Sequence, residues 1–162
     1  MRKAQKIALL AVLVALSGVG AYIKVPSPTG TVAFDSFPGY TAAIVLGAVW
    51  GGVVAAVGHL ISAMTVGFPL GLLHVVIAVG MAAAAVVFWA GWKLHPAAGV
   101  VAATVFNGVV LPLVVVPLFG WGAYVAILPS LIVASLANVV VASVAGGSLR
   151  RALRSEAGDR WV

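Results

Sequence analysis

KVPSPTGTVAFDSFPGY, residues Lys24 to Tyr40, is the one long polar interruption in an otherwise apolar chain. It carries Pro26, Pro28 and Pro38, two glycines, and Asp35, the sole acidic residue before Glu156. Its meaning depends on its flanks. Apolar residues make up 64% of the chain and charged residues 7%, whereas soluble domains carry about 25% charged residues. Mean hydropathy is +1.22, so most of the folded surface must face lipid. The stretch is then either a bare connector between membrane helices or a lid over something they enclose.

Charge distribution sets the expected sidedness. The formal charge of +6 is concentrated in Arg2, Lys3 and Lys6 at one terminus and Arg150, Arg151, Arg154 and Arg160 at the other. Basic residues flanking apolar spans mark the cytoplasmic side, and they suit anionic lipid headgroups rather than nucleic acid. Both termini are therefore expected inside, which requires an even number of crossings. The basic start followed by IALLAVLVAL resembles a signal peptide, but the apolar run continues through Tyr22 and Ile23 and is retained as a first span.

A bilayer core of about 30 Å takes about 20 helical residues, and shorter helices cross only if tilted or enclosed. The pattern predicts an all-α integral membrane protein with six transmembrane helices and a long outer loop between the first two. The predicted spans are Ile7–Ile23, Pro38–Val49, Val53–Val66, Leu72–Trp92, Ala97–Phe119 and Tyr124–Leu149. The expected turns are Trp50-Gly51-Gly52, Gly67 to Gly71, His95-Pro96 and Gly120-Trp121-Gly122. Residues 1–154 read as one membrane domain and 155–162 as a solvated cytoplasmic tail. Lys24 and Asp35 are then the only charges on the outer side.

Polar groups inside a bilayer are costly and mark candidate sites. Serines and threonines there usually bond back to their own helix. That leaves His59, His74, Asn107 and Asn138, one on each of four predicted spans. They either hold helices together, a modest contribution of about 0.6 kcal/mol each, or converge on a polar pocket. Phe34, Phe37, Tyr40, Phe68, Phe119, Trp121 and Tyr124 gather at the outer side. They form an interfacial belt or a stacking surface for a planar ligand.

Catalysis is not indicated. The sequence has no carboxylate pair, no nucleophile beside a base and no HExxH. It has no cysteine and no metal-ligand cluster, so neither cofactor nor metal is expected. Without an intramembrane carboxylate, uphill transport must draw its energy from another protein. Ala4, Ala8, Ala11 and Ala15 recur at three- and four-residue steps, a flat stripe that lets another helix approach closely.

Taken together, residues 1 to 150 resemble the substrate-binding S components of energy-coupling factor (ECF) transporters. The likeness lies in length, basic ends, the Ala11-x-x-x-Ala15 face and the long first outer loop. The resemblance implies that Ala11 and Ala15 dock on a transmembrane T component, that two ABC-type ATPases power uptake, and that the protein is a multi-pass protein of the bacterial cell membrane. It also implies a small vitamin or vitamin precursor held near the outer face. VPSPTGTVAFDSFPGY and GHLISAMTVGFPLGLLHVVIAVGM resemble the members assigned to α-ribazole, a cobalamin precursor. On that reading Phe34, Phe37 or Trp121 would stack on the flat bicycle. Asp35, His74 and Asn107 would bond the ribose, with His59 and Asn138 completing the substrate-binding set. The alternatives are an S component for another precursor, of pyrimidine or cobamide type, or an accessory membrane protein whose polar residues only pack helices.

Overall fold

The structure is a computed structural model and describes residues 2–158. In chain order the elements are α1 (Lys3–Gly20), α2 (Phe37–Leu46), α3 (Ala48–Met64), α4 (Leu73–Leu94), α5 (Pro96–Val105) and α6 (Val116–Gly158). A π turn at Phe106–Val110 and a 3-10 turn at Leu111–Val115 join the last two. Among the described residues no strand forms, and Lys24 and Ala33 make an isolated antiparallel bridge.

Three helical stretches are long and apolar enough to cross a membrane: Lys3–Gly20, Leu73–Leu94 and Pro96–Ser155, the last 60 residues long. Phe37–Leu46 and Ala48–Met64 are apolar but shorter. A straight 60-residue helix would span about 90 Å. This one folds at Gly120, whose φ of 76° and ψ of 174° suit glycine alone. Asn107 bonds Ser135 at 2.9 Å and the Tyr124 hydroxyl bonds the Val109 carbonyl at 3.1 Å. Residues on either side of Gly120 therefore meet, and the two arms lie antiparallel.

Several boundaries differ from the sequence expectation. The break between the second and third helices falls at Gly47, with φ 94°, while Trp50, Gly51 and Gly52 lie inside α3. The glycines predicted to turn the chain instead let helices touch. A Cβ on Gly51 would stand 2.7 Å from the Ala43 Cα, and one on Gly39 would stand 2.7 Å from the Ala55 Cα. The predicted fifth span, Ala97–Phe119, is regular only to Val105. Pro112 has no N–H to donate, and the chain passes its ring by widening and then tightening the helix. The final helix runs beyond Leu149 to Gly158, so 155–158 is helical, and 159–162 of the expected tail lies outside the described residues.

The core centres on Tyr40, Phe88 and Val139, surrounded by Ala43, Ala55, Ala84, Ala85, Ala103 and Ala142. Tyr40 and Phe88 meet edge to face at 5.2 Å. Such small-residue packing replaces the hydrophobic drive that lipid does not provide. Val79, Val101, Val133 and Val144 point outward, where water would make them a liability. Lys6 lies over the Trp50 ring at 4.4 Å, and Gly146 packs on Ile44. One end of the bundle thereby collects Lys6, Lys93 and the terminal arginines, and the opposite end carries loops 21–36 and 65–72.

Candidate functional site

Loop 21–36 folds into a flap. Val25 N–H donates to the Val32 carbonyl at 2.9 Å, and Phe34 N–H donates to the Ile23 carbonyl at 3.1 Å. Asn138 on α6 grips its inner arm. Asn138 Oδ1 accepts from Ser36 and Phe37 N–H at 3.2 and 2.8 Å, and its Nδ2 donates to the Ala33 and Ala134 carbonyls at 3.0 and 2.9 Å. The Ser130 hydroxyl donates to the Pro26 carbonyl. On the other side, Lys24 Nζ donates to Thr65 Oγ1 at 3.0 Å and to Ser62 Oγ at 3.5 Å. The flap is thus fastened to α6 and to the end of α3.

Beneath it lies a cavity of about 70 Å³. Thr31, Asp35 and Ser36 form the roof; His59, Ile77, Met81, Asn107, Leu111, Ile127, Leu131, Ser135 and Asn138 contribute to the walls. Polar atoms are few and come from different elements. Asn107 reaches the wall because the π turn displaces it: Leu111 N–H bonds the Phe106 carbonyl, a five-residue step that bulges the helix, a feature frequent at functional sites. Asn107 Nδ2 donates to Ser135 Oγ, leaving Oδ1 for the cavity.

His59 lies on the wall and His74 behind it. His59 Nε2 sits 3.2 Å from His74 Nδ1, and Leu70 N–H donates to His74 Nε2 at 3.3 Å. Phe68 meets the His74 ring edge-on at 5.6 Å. Asp35 is 6% exposed. Burial raises its carboxyl to about 7, against the smaller opposing pull of the Ser62 hydroxyl, its own backbone N–H and Lys24.

Residues 5–146 match the model of a family described as ECF transporter, substrate-specific component. The chain belongs to that family. No curated protein and no solved structure matches it. ECF S components are membrane proteins that bind a small-molecule substrate for transport and work with a T component and ATPases.

In this S component, Asp35, His59, Asn107 and Asn138 share one cavity. His74 touches it only through His59. Phe34 and Trp121 do not line it: the Phe34 carbonyl is packed against Gly20, and Trp121 is 65% exposed with its ring edge-on to Tyr124 at 5.7 Å. The wall is aliphatic where the sequence suggested aromatic stacking. Ala11 and Ala15 are exposed on α1. Sequence reasoning set Ser62 and Ser135 aside as bonding to their own helices. Instead Ser62 Oγ donates to the Thr31 carbonyl at 3.3 Å, and Ser135 receives Asn107. The signal was the three-residue step from Ser135 to Asn138, which puts both on one helical face.

Proposed function

We propose that this S component captures a small, uncharged vitamin precursor under loop 21–36, with α-ribazole the best candidate. On this reading the chain crosses the bacterial cell membrane six times with both termini cytoplasmic, and hands its ligand inward once a T component, powered by two ATPases, docks on Ala11 and Ala15. The observation that carries the reading is the cavity itself: largely aliphatic walls, a few polar side chains that include Asp35, His59 and Asn107, and a roof made of the longest polar segment in the chain. The two stretches that resemble α-ribazole members, Val25–Tyr40 and Gly58–Met81, supply that roof and the α3 and α4 walls. With Phe34 and Trp121 outside, the bicycle is gripped by Met81, Leu111, Ile127 and Leu131. The small volume favours, as a second reading, a more compact precursor of pyrimidine size.

Calorimetry on the purified chain tests the ligand. α-Ribazole should bind tightly with no ATPase present, and absence of both heat and competition rejects it. Ala11→Trp and Ala15→Trp should abolish uptake while leaving binding intact. Loss of both together would mean that α1 builds the pocket instead of the docking face.

A further inference from the structure

His59 and His74 form a chain of hydrogen bonds whose direction is fixed from one end. A backbone N–H can only donate, so the Leu70 bond at 3.3 Å makes His74 Nε2 an acceptor. A neutral imidazole carries a single proton, so that of His74 sits on Nδ1. The contact at 3.2 Å then runs from His74 Nδ1–H to His59 Nε2, and the proton of His59 is confined to its own Nδ1. An imidazolium at His74 would oppose two donors at Nε2. His59 lines the cavity, and its Nδ1 has no protein partner among the described residues. Loop 65–72 thus dictates what α3 offers to a ligand.

The geometry points to His74 as a positioning residue that holds His59 in the Nδ1–H form, so that the cavity selects ligands presenting a bare lone pair there: a pyridine-type ring nitrogen or a carbonyl oxygen. This deepens the proposed function and rests on its cavity being the binding site. An N–H or a C–H in that place would leave the His59 donor buried and unpaired, which a site built around a hydrogen bond penalises heavily. His59 and Asn107 divide the polar work: one gives a proton, the other offers Oδ1 to accept one.

Two isosteric probes isolate the effect. 1-Methylbenzimidazole has the unprotonated ring nitrogen, and 1-methylindole has a C–H in its place. The full chain in detergent should bind the first about tenfold more tightly than the second, the 1.4 kcal/mol scale of one hydrogen bond. His59→Gln keeps an acceptor for His74 but loses the Nδ1 donor, so the two probes should then bind alike. His74→Leu should shrink the preference severalfold, and His74→Asn, whose amide can still donate to His59, should restore it. Long-range proton–nitrogen correlation spectra of 15N-histidine protein give a readout independent of any ligand. His59 and His74 should both appear as Nδ1–H tautomers, with His59 becoming mixed in His74→Leu. An Nε2–H at His59, equal binding of the two probes, or binding of neither overturns the inference. Rejection of α-ribazole with the probe preference retained removes the proposed ligand and leaves the dyad standing. Tight α-ribazole binding without the preference does the reverse.

Discussion

Asn107 and Asn138 start alike and end differently. Each is a lone amide midway along a long apolar segment, and the two face each other across the fold at Gly120. Asn138 uses both lone pairs and both N–H groups on protein partners, two of them in loop 21–36 and one at the start of α2, and so reaches the full capacity of an amide. Asn107 makes one bond, to Ser135. The difference lies in the opposing backbone. The first residues of α2 have N–H groups with no helical partner, and Asn138 satisfies them. The π turn around Asn107 faces a cavity, so nothing in the protein claims its oxygen. A buried amide therefore acts as glue where backbone is unpaired and as a contact where space is open.

Replacing Asn138 gives the largest expected effect. Asn138→Leu strands the Ser36 and Phe37 N–H groups and the Ala33 carbonyl. At about 1–3 kcal/mol for each buried unpaired group, the thermal midpoint in detergent should fall by about 10 °C and ligand binding should go with it. An unchanged midpoint would dissolve the distinction between the two asparagines. Asn107→Ala should show the opposite pattern, a midpoint within about 2 °C of wild type for the loss of one helix-to-helix bond and an affinity at least about tenfold weaker. Stability lost with affinity kept would make Asn107 glue as well.

The roof carboxyl sharpens the comparison through pH. Asp35 titrates near 7 when folded and near 3.9 when unfolded, so the folded state holds the extra proton between those values. The contribution of Asp35 to stability should decline as pH rises from about 4 to about 7 and then level off. Asp35→Asn should remove that contribution, so that its midpoint exceeds that of wild type by more at pH 8 than at pH 4. A difference between the two proteins that stays constant with pH takes the titration away from Asp35. The smallest effect is expected at Lys24, which is exposed. Lys24→Met removes the flap's bonds to Thr65 and Ser62, and should lower stability by no more than about 1 kcal/mol while hastening protease cleavage within 24–36.

The polar residues that meet at the cavity were legible because the bilayer makes each one conspicuous: Asp35, His59, Asn107 and Asn138 stood out by their scarcity. The helix pairing was legible less evenly. Gly51 and Gly52 looked like a turn because glycine has two uses, and only neighbours distant in sequence, Ala43 and Ala82, reveal that here it makes room. The bulge that turns Asn107 inward was announced by Pro112, but a proline predicts that a helix is disturbed, not in which sense. Phe34 and Trp121 were misleading for the opposite reason. An aromatic ring near an interface satisfies lipid as readily as ligand, and Trp121 remains outside the cavity.

The cavity of about 70 Å³ has a kinetic consequence. Pockets that enclose small molecules usually measure about 300–1,000 Å³, so the cavity must widen before it can take a nucleoside. Association must wait for the flap to release Asn138, Ser130 and Lys24. The observed on-rate should rise with ligand concentration only until it reaches the rate of that release, and then stay level. Stopped-flow tryptophan fluorescence would read that plateau directly as the opening rate of the roof.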